Sequence, residues 1–177
     1  MDAIDPRQLR NALSRFPTGV TVITTITPDA KREGLTANSF AALSLDPPLV
    51  LWSLGKRAQS LPGFRASGRF AVNILAASQA DISHHFATPR LDKFEGVASF
   101  EGQGGCPLIL GALASFECTT HDAIDAGDHI LFIGRVEYFA YTDGAALAFN
   151  AGQYGTVLPI PRPDAQADME SIWGGLG

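Results

Sequence analysis

An aspartate and a histidine stand side by side at Asp128-His129, between Gly127 and the apolar run Ile130-Leu131-Phe132-Ile133. The run reads as a buried strand, since short apolar segments rich in β-branched and aromatic residues suit a pleated core surface. An ionisable pair at its head would lie at the rim of the sheet, within reach of a ligand. As neighbours on one strand, the two side chains are expected on opposite faces, so they do not read as base and orienter for one nucleophile. No GxSxG elbow is present to supply that nucleophile.

Other chemistries leave fewer traces. No GxGxxG follows a strand, and the glycines Gly63 and Gly68 are followed by Arg69-Phe70 where a P-loop needs Lys-Ser/Thr. His84 and His85 are adjacent and would point apart on a helix. His121 and His129 might meet across a hairpin, but no carboxylate or cysteine stands at a ligand spacing, so no metal is expected. Thr36, Asn38, Ser39 and Ser44 interrupt two apolar runs in GLTANSFAALSLDPPLVLWSL, where small polar residues would let backbone N–H groups approach a flat polar ligand. Lys56, Arg57 and Ser60 precede a short helix and could form a phosphate cradle, or a solvated turn.

The elements that must position these residues are mostly strands. Asp5-Pro6 opens a first helix, with Leu9, Leu13 and Phe16 as its apolar stripe. Strands are expected over 20–27, into GLTANSF, and over 49–54, 70–75, 114–120, 130–141 and 146–150. DAIDAGD is expected to connect the strands before and after it. Short helices are expected over 60–66 and 78–86, the second capped by Ser78. Many strands with brief turns predict an antiparallel barrel or sandwich, not a βαβ series. The three alternating prolines after Val157 predict an extended tail over 159–177, loose or docked through Trp173.

At 177 residues, 46% hydrophobic and 18% charged, the chain predicts one globular domain, here over 1–158. A net charge of -5 without a Lys/Arg run argues against a nucleic-acid partner. No apolar stretch reaches the ~18 residues of a membrane span. The absence of a basic-then-apolar N-terminus and the presence of only Cys106 and Cys118 predict a cytoplasmic protein with free thiols.

Seven segments in order resemble the short-chain flavin reductases, the NAD(P)H-dependent reductase partners of two-component flavin monooxygenases. They are FPTGVTVITT, GLTANSFAALSLDPPLVLWSL, GRFAVNIL, HHFATPRLDKFEGV, PLILGALASFEC, AGDHILFIGRV and AFNAGQYG. The GDHxxxxG element, Gly127-Asp128-His129 with Gly134, resembles the family's nicotinamide marker. The resemblance implies a mainly β fold, a split β-barrel of the FMN-binding type with a few short peripheral helices, and a homodimer. It implies hydride transfer from NADH or NADPH to FMN or FAD, and delivery of the reduced flavin to a partner monooxygenase. Thr36, Ala37, Asn38 and Ser39 would line the isoalloxazine, with backbone N–H groups near Asn38 and Ser39 facing its N1 and C2 carbonyl. Ser53, Lys56, Arg57 and Ser60 would meet the ribityl chain and phosphate, although Ala58 stands where the family commonly has a hydroxyl. Lys93 and Phe94 would close over the flavin. Asp128 would satisfy backbone donors at the turn, His129 would seat the nicotinamide as the catalytic residue, and Tyr154 would border the pocket. Ala146-Leu147-Ala148-Phe149 departs from the family's Pro-Leu before the final Gly-x-Tyr-Gly. The alternative is a flavin-binding split barrel without useful NADH turnover.

Overall fold

The computed structural model describes residues 4–159. Three α-helices occupy Pro6–Leu13 (α1), Leu61–Ser67 (α2) and Ala80–Ala87 (α3). The strands are β1 Thr18–Gly19, β2 Thr21–Ile26, β3 Arg32–Ala37, β4 Ala41–Leu45, β5 Pro48–Gly55, β6 Arg69–Ile74, β7 Ser99–Glu101, β8 Pro107–Ile109, β9 Ala114–Ala126, β10 His129–Tyr141, β11 Leu147–Asn150 and β12 Gln153–Thr156. Seven of them form one antiparallel sheet in the order β3-β2-β6-β9-β10-β5-β4. Strands β1, β11 and β12 make a small sheet, and β7 pairs with β8.

The large sheet curls, because edge strand β3 and strand β5, next to the opposite edge, serve one core. Ala37 from β3 and Val50, Trp52 and Leu54 from β5 pack with Phe64, Phe70 and Phe132. Trp52 stacks on Phe132 at 4.8 Å and meets Phe64 edge-on at 5.0 Å. The edges β3 and β4 are not hydrogen-bonded to each other, which leaves the barrel split. On the other face of β2, Val20, Val22, Leu75, Phe86, Phe94, Ile109 and Leu147 form a second core. Strand β2 is therefore buried on both faces, as its unbroken Val/Ile/Thr run requires. Asn73, fully buried between the cores, donates to the Val22 carbonyl at 3.1 Å and accepts from the Ile109 N–H at 2.9 Å.

Several local expectations need correction. Asp5 does cap α1, accepting from the Arg7 N–H at 2.8 Å, but the stripe of that helix is uncovered: Leu13 is 66% and Phe16 76% exposed. Ser78 does not cap α3; it lies inside a 3-10 turn, Ala77–Gln79, where the Gln79 side chain accepts from the Ala76 N–H. DAIDAGD is not a connecting loop, since β9 continues through Ala126. Ala146-Leu147 packs despite its departure from the family pattern, with Leu147 buried and Ala146 bridged to Ala76. The expected tail, with Trp173, lies outside the described residues beyond Pro159.

Candidate active site

Strands β9 and β10 are joined by only Gly127 and Asp128. Gly127 takes φ +62°, and a positive φ at the first central position is the arrangement that matches the twist of a two-residue hairpin. Because Asp128 sits in this turn and not on the strand, its carboxylate swings back to His129. Asp128 Oδ1 lies 2.7 Å from His129 Nδ1, so the expectation of opposite faces is wrong. That hydrogen bond, and then the imidazole's charge, hold the Asp128 carboxyl below the ordinary carboxylate range. His129 pairs with Gly55 of β5, where a Cβ would stand 3.8 Å from Nε2.

The loop after β5 is tied to the same hairpin. The Lys56 N–H donates to the Asp128 carbonyl at 2.9 Å. Lys56 Nζ pairs with Asp125 Oδ1 at 2.6 Å, and Arg65 reaches the other oxygen at 4.0 Å. The Lys56 contact keeps the Asp125 carboxyl low, and Arg57 adds its charge to the field at Asp128. Both cations expected at a phosphate thus face the acidic hairpin.

The TANS segment closes β3. Thr36 Oγ1 donates to the Ser83 carbonyl at 2.5 Å, and Ala37 is buried in the barrel core. Asn38 and Ser39 leave the strand, and neither N–H has a hydrogen-bond partner among the described residues. Ser39 Oγ accepts from the Ser53 N–H at 3.0 Å and faces the Ser53 carbonyl at 3.2 Å, which pins the segment to β5. Ser53 and Gly55 lie on one face of β5 about 7 Å apart at roughly 3.3 Å per residue. The free N–H pair and His129 therefore converge on one end of that strand.

Beside them runs a groove of about 360 Å³ along the open edge of β3. It includes Thr36 and Ser60 as expected, Ala58 in the same loop, and Arg32, Arg90 and Leu91, which sequence reasoning did not single out. Lys93 lines it too, but its ammonium donates to the Phe86 and Thr88 carbonyls, each at 2.7 Å, tying down the end of α3. Burial, and then Arg90, lower the Lys93 pKa. Phe94 faces away from the groove: at 3% exposure it packs edge-on to Phe86 in the second core, with the Arg32 guanidinium 4.7 Å from its ring. Closing over a ligand is therefore not its role in this arrangement. Tyr154, on β12, reaches buried Ser83 through its hydroxyl at 2.8 Å and so stands behind Thr36 without lining the groove. Glu33 was also missed; one oxygen pairs with Lys31 at 2.9 Å while the other turns toward Gly63 without a hydrogen-bond partner.

His121 lies at the β9 bulge, whereas His129 on β10 pairs with Ala126 at the far end of β9, so those two imidazoles do not meet. Among the described residues, no three His, Cys, Asp or Glu side chains are grouped to hold a metal ion. Cys106 and Cys118 are free and buried beside Glu117, whose carboxylate accepts from the Gln103 and Gly104 N–H groups at 2.9 and 2.6 Å. Burial pushes these thiols up to about 11 and about 12.

Comparison with known proteins converges on one family. The flavin reductase like domain matches residues 13–158. The chain is 41% identical over 176 residues to the stachydrine N-demethylase reductase subunit Stc3 of Rhizobium meliloti, covering 99% of this chain and 75% of that one. It is 44% identical to the FMN reductase (NADH) SmoA of Agrobacterium fabrum, covering 84% of each. Among solved structures, nitrilotriacetate monooxygenase component B from Mycobacterium thermoresistibile superposes with a TM-score of 0.84 at 39% identity, covering 96% of this chain and 99% of that one. The chain spans about half the length of two other curated relatives, 54% and 51%. With the barrel, the GDH hairpin and the TANS segment in the family's order, the chain belongs to the flavin reductase like domain family.

Proposed function

We propose that this chain is an NAD(P)H:flavin oxidoreductase that hands reduced flavin to a separate flavin-dependent monooxygenase. The observation that carries the reading is the meeting of two elements at the end of β5, where Ser39, beside the free N–H groups, is hydrogen-bonded to Ser53 and His129 pairs with Gly55. A flavin bound there supplies the hydride acceptor. The chain's part is positioning and electrostatics. Two unpartnered N–H donors fit the N1 and C2-carbonyl edge, where negative charge grows on reduction, and Ser39 fixes them through Ser53. Asp128 holds His129 through Nδ1, which leaves Nε2 for the carboxamide of a nicotinamide. Holding two planar rings in contact accounts for more of the rate than any single acid or base. Lys56 and Arg57 already face carboxylates, so flavin phosphate meets competition, in keeping with a flavin that leaves after reduction.

The reading includes a homodimer. Tyr138, Phe139 and Tyr141 on β10 and Leu43 and Leu45 on β4 present apolar side chains to the surface, which supports burial against a second copy. It also includes a cytoplasmic site, in keeping with free thiols and with the absence of a helix able to cross a membrane among the described residues. Recovery of the native protein in a membrane or secreted fraction would count against that location.

Anaerobic mixing with NADH or NADPH and excess FMN or FAD, followed at the flavin absorbance, tests the enzyme directly. Catalytic bleaching of the excess is expected. Bleaching limited to one flavin per chain would leave a flavin-binding barrel without reductase function.

A further inference from the structure

The segment that carries the two free N–H groups is anchored on three sides. Toward β2, the Thr21 hydroxyl donates to the Ala37 carbonyl at 2.8 Å; toward β5, Ser39 is hydrogen-bonded to Ser53. On the outer edge of β3 the anchor is Thr36, whose hydroxyl donates to the Ser83 carbonyl of α3. Two anchors thus rest on strands of the large sheet, whereas the third holds Thr36 only as firmly as α3 itself is held. Helix and strand have no slack between them: a Cβ on Gly34 of β3 would stand 2.7 Å from the Phe86 ring. A shift of α3 therefore passes directly to β3.

What holds α3 at this point comes from the small sheet. Ser83 is fully buried, and among the described residues the one partner of its hydroxyl is the Tyr154 hydroxyl at 2.8 Å. Tyr154 stands on β12, paired in register with Phe149 of β11, and its ring meets Phe149 edge-on at 5.6 Å. Phe149 in turn packs against the second core, so the Tyr154 ring is fixed independently of its hydroxyl. Two hydrogen bonds therefore join the small sheet to the end of β3, from Tyr154 to Ser83 and from Ser83 to Thr36. The second of them ends on the backbone carbonyl of Ser83 and not on its hydroxyl, so the path carries position and not a proton.

We propose that Tyr154 is a positioning residue for hydride transfer: through Ser83 it sets the seat of Thr36, and with it the aim of the Asn38 and Ser39 N–H groups. The inference rests on the reductase reading for its reaction, but one of its tests is a binding measurement. Tyr154→Phe keeps the ring on Phe149 and removes only the hydroxyl. It is expected to lower kcat about tenfold, the scale of one hydrogen bond, with the KM for NADH within about twofold of the parent. The KM is spared because His129 stands on the β9–β10 hairpin, which shares none of these contacts. Donors aimed at the reduced ring favour reduced flavin, so its affinity relative to oxidised flavin, titrated anaerobically with FMN, should fall by a similar factor. Ser83→Ala reaches the same contact from the helix, and the double variant should lose no more than either single one. A kcat and a flavin preference unmoved in both single variants would overturn the proposal. So would losses that add in the double variant, or an equal change in kcat and in the KM for NADH. If the parent bleached no excess flavin with NADH, a preference for reduced flavin lost in Tyr154→Phe would keep the positioning role and remove the reductase. Catalytic bleaching by the parent, undiminished in Tyr154→Phe, would do the reverse.

Discussion

The imidazole of His129 has two nitrogens, and among the described residues only Nδ1 is engaged, by Asp128. Loss of the ring should therefore remove a contact to the nicotinamide without disturbing the flavin. His129→Ala is expected to raise the KM for NADH about tenfold, the scale of one hydrogen bond, with the flavin Kd within about twofold of its former value. Equal losses in both would make His129 a structural residue, and steady-state kinetics beside a flavin titration separates the two cases. The residue types at this hairpin were legible in the sequence; their directions were not. Strand alternation sends neighbours apart, but a two-residue turn exempts Asp128 from it. Charge was likewise legible at Lys56, whereas its engagement by Asp125 depends on the registers of β5 with β10 and of β10 with β9, which no local pattern states. Phe94 shows the same limit, since an aromatic in a polar loop does not announce which way it turns.

Elements were read well where period and composition agree. The runs that became β2, β5, β6 and β10 carry β-branched or aromatic residues and end at glycine, proline or turn residues. The short strands β4, β7, β8 and β12 were missed because three to five residues carry too little periodicity. Helix α1 shows that an apolar stripe predicts a helix but not what covers it. Gly134, the last glycine of the GDHxxxxG element, belongs to packing and not to a cofactor contact. A Cβ there would run into the Phe70 ring and stand 2.9 Å from Cys118 Cβ, and Phe70 is fully buried. Gly134→Ala is expected to destabilise the fold by about 1–3 kcal/mol, the usual cost of overpacking. Urea unfolding would show it as a lower midpoint with an unchanged slope, and an unchanged midpoint would mean that Phe70 can shift.

The whole molecule carries two cores on either side of β2, and its thiols link stability to pH. Cys106 is raised to about 11 and Cys118 to about 12 from 9.0, chiefly by burial. A group whose pKa is higher folded than unfolded contributes fully below the unfolded value and progressively loses that contribution above it. Stability should thus hold up to about pH 9 and then fall through pH 11, by at most about 1.4 kcal/mol per pH unit per thiol. Urea midpoints measured from pH 8 to 11 should decline more steeply in the parent than in a Cys106→Ala/Cys118→Ala double variant. Parallel slopes would show that other groups govern alkaline unfolding. At the same scale, sedimentation equilibrium should return twice the 18.8 kDa chain mass, and Phe139→Glu should shift it toward the monomer. A monomer in the parent at micromolar concentration would remove the homodimer.

The open edge of β3 also bears on solubility. A strand with a free row of N–H and C=O groups invites a strand from another molecule to extend the sheet, the first step toward aggregation. Here the 58–60 loop and α3 rise on both sides of the edge, and Lys31, Arg32 and Glu33 place charges along it. An incoming strand would have to displace those walls and bury those charges, whereas a small ligand fits between them. The walled groove thereby also keeps sheets of separate molecules from joining there.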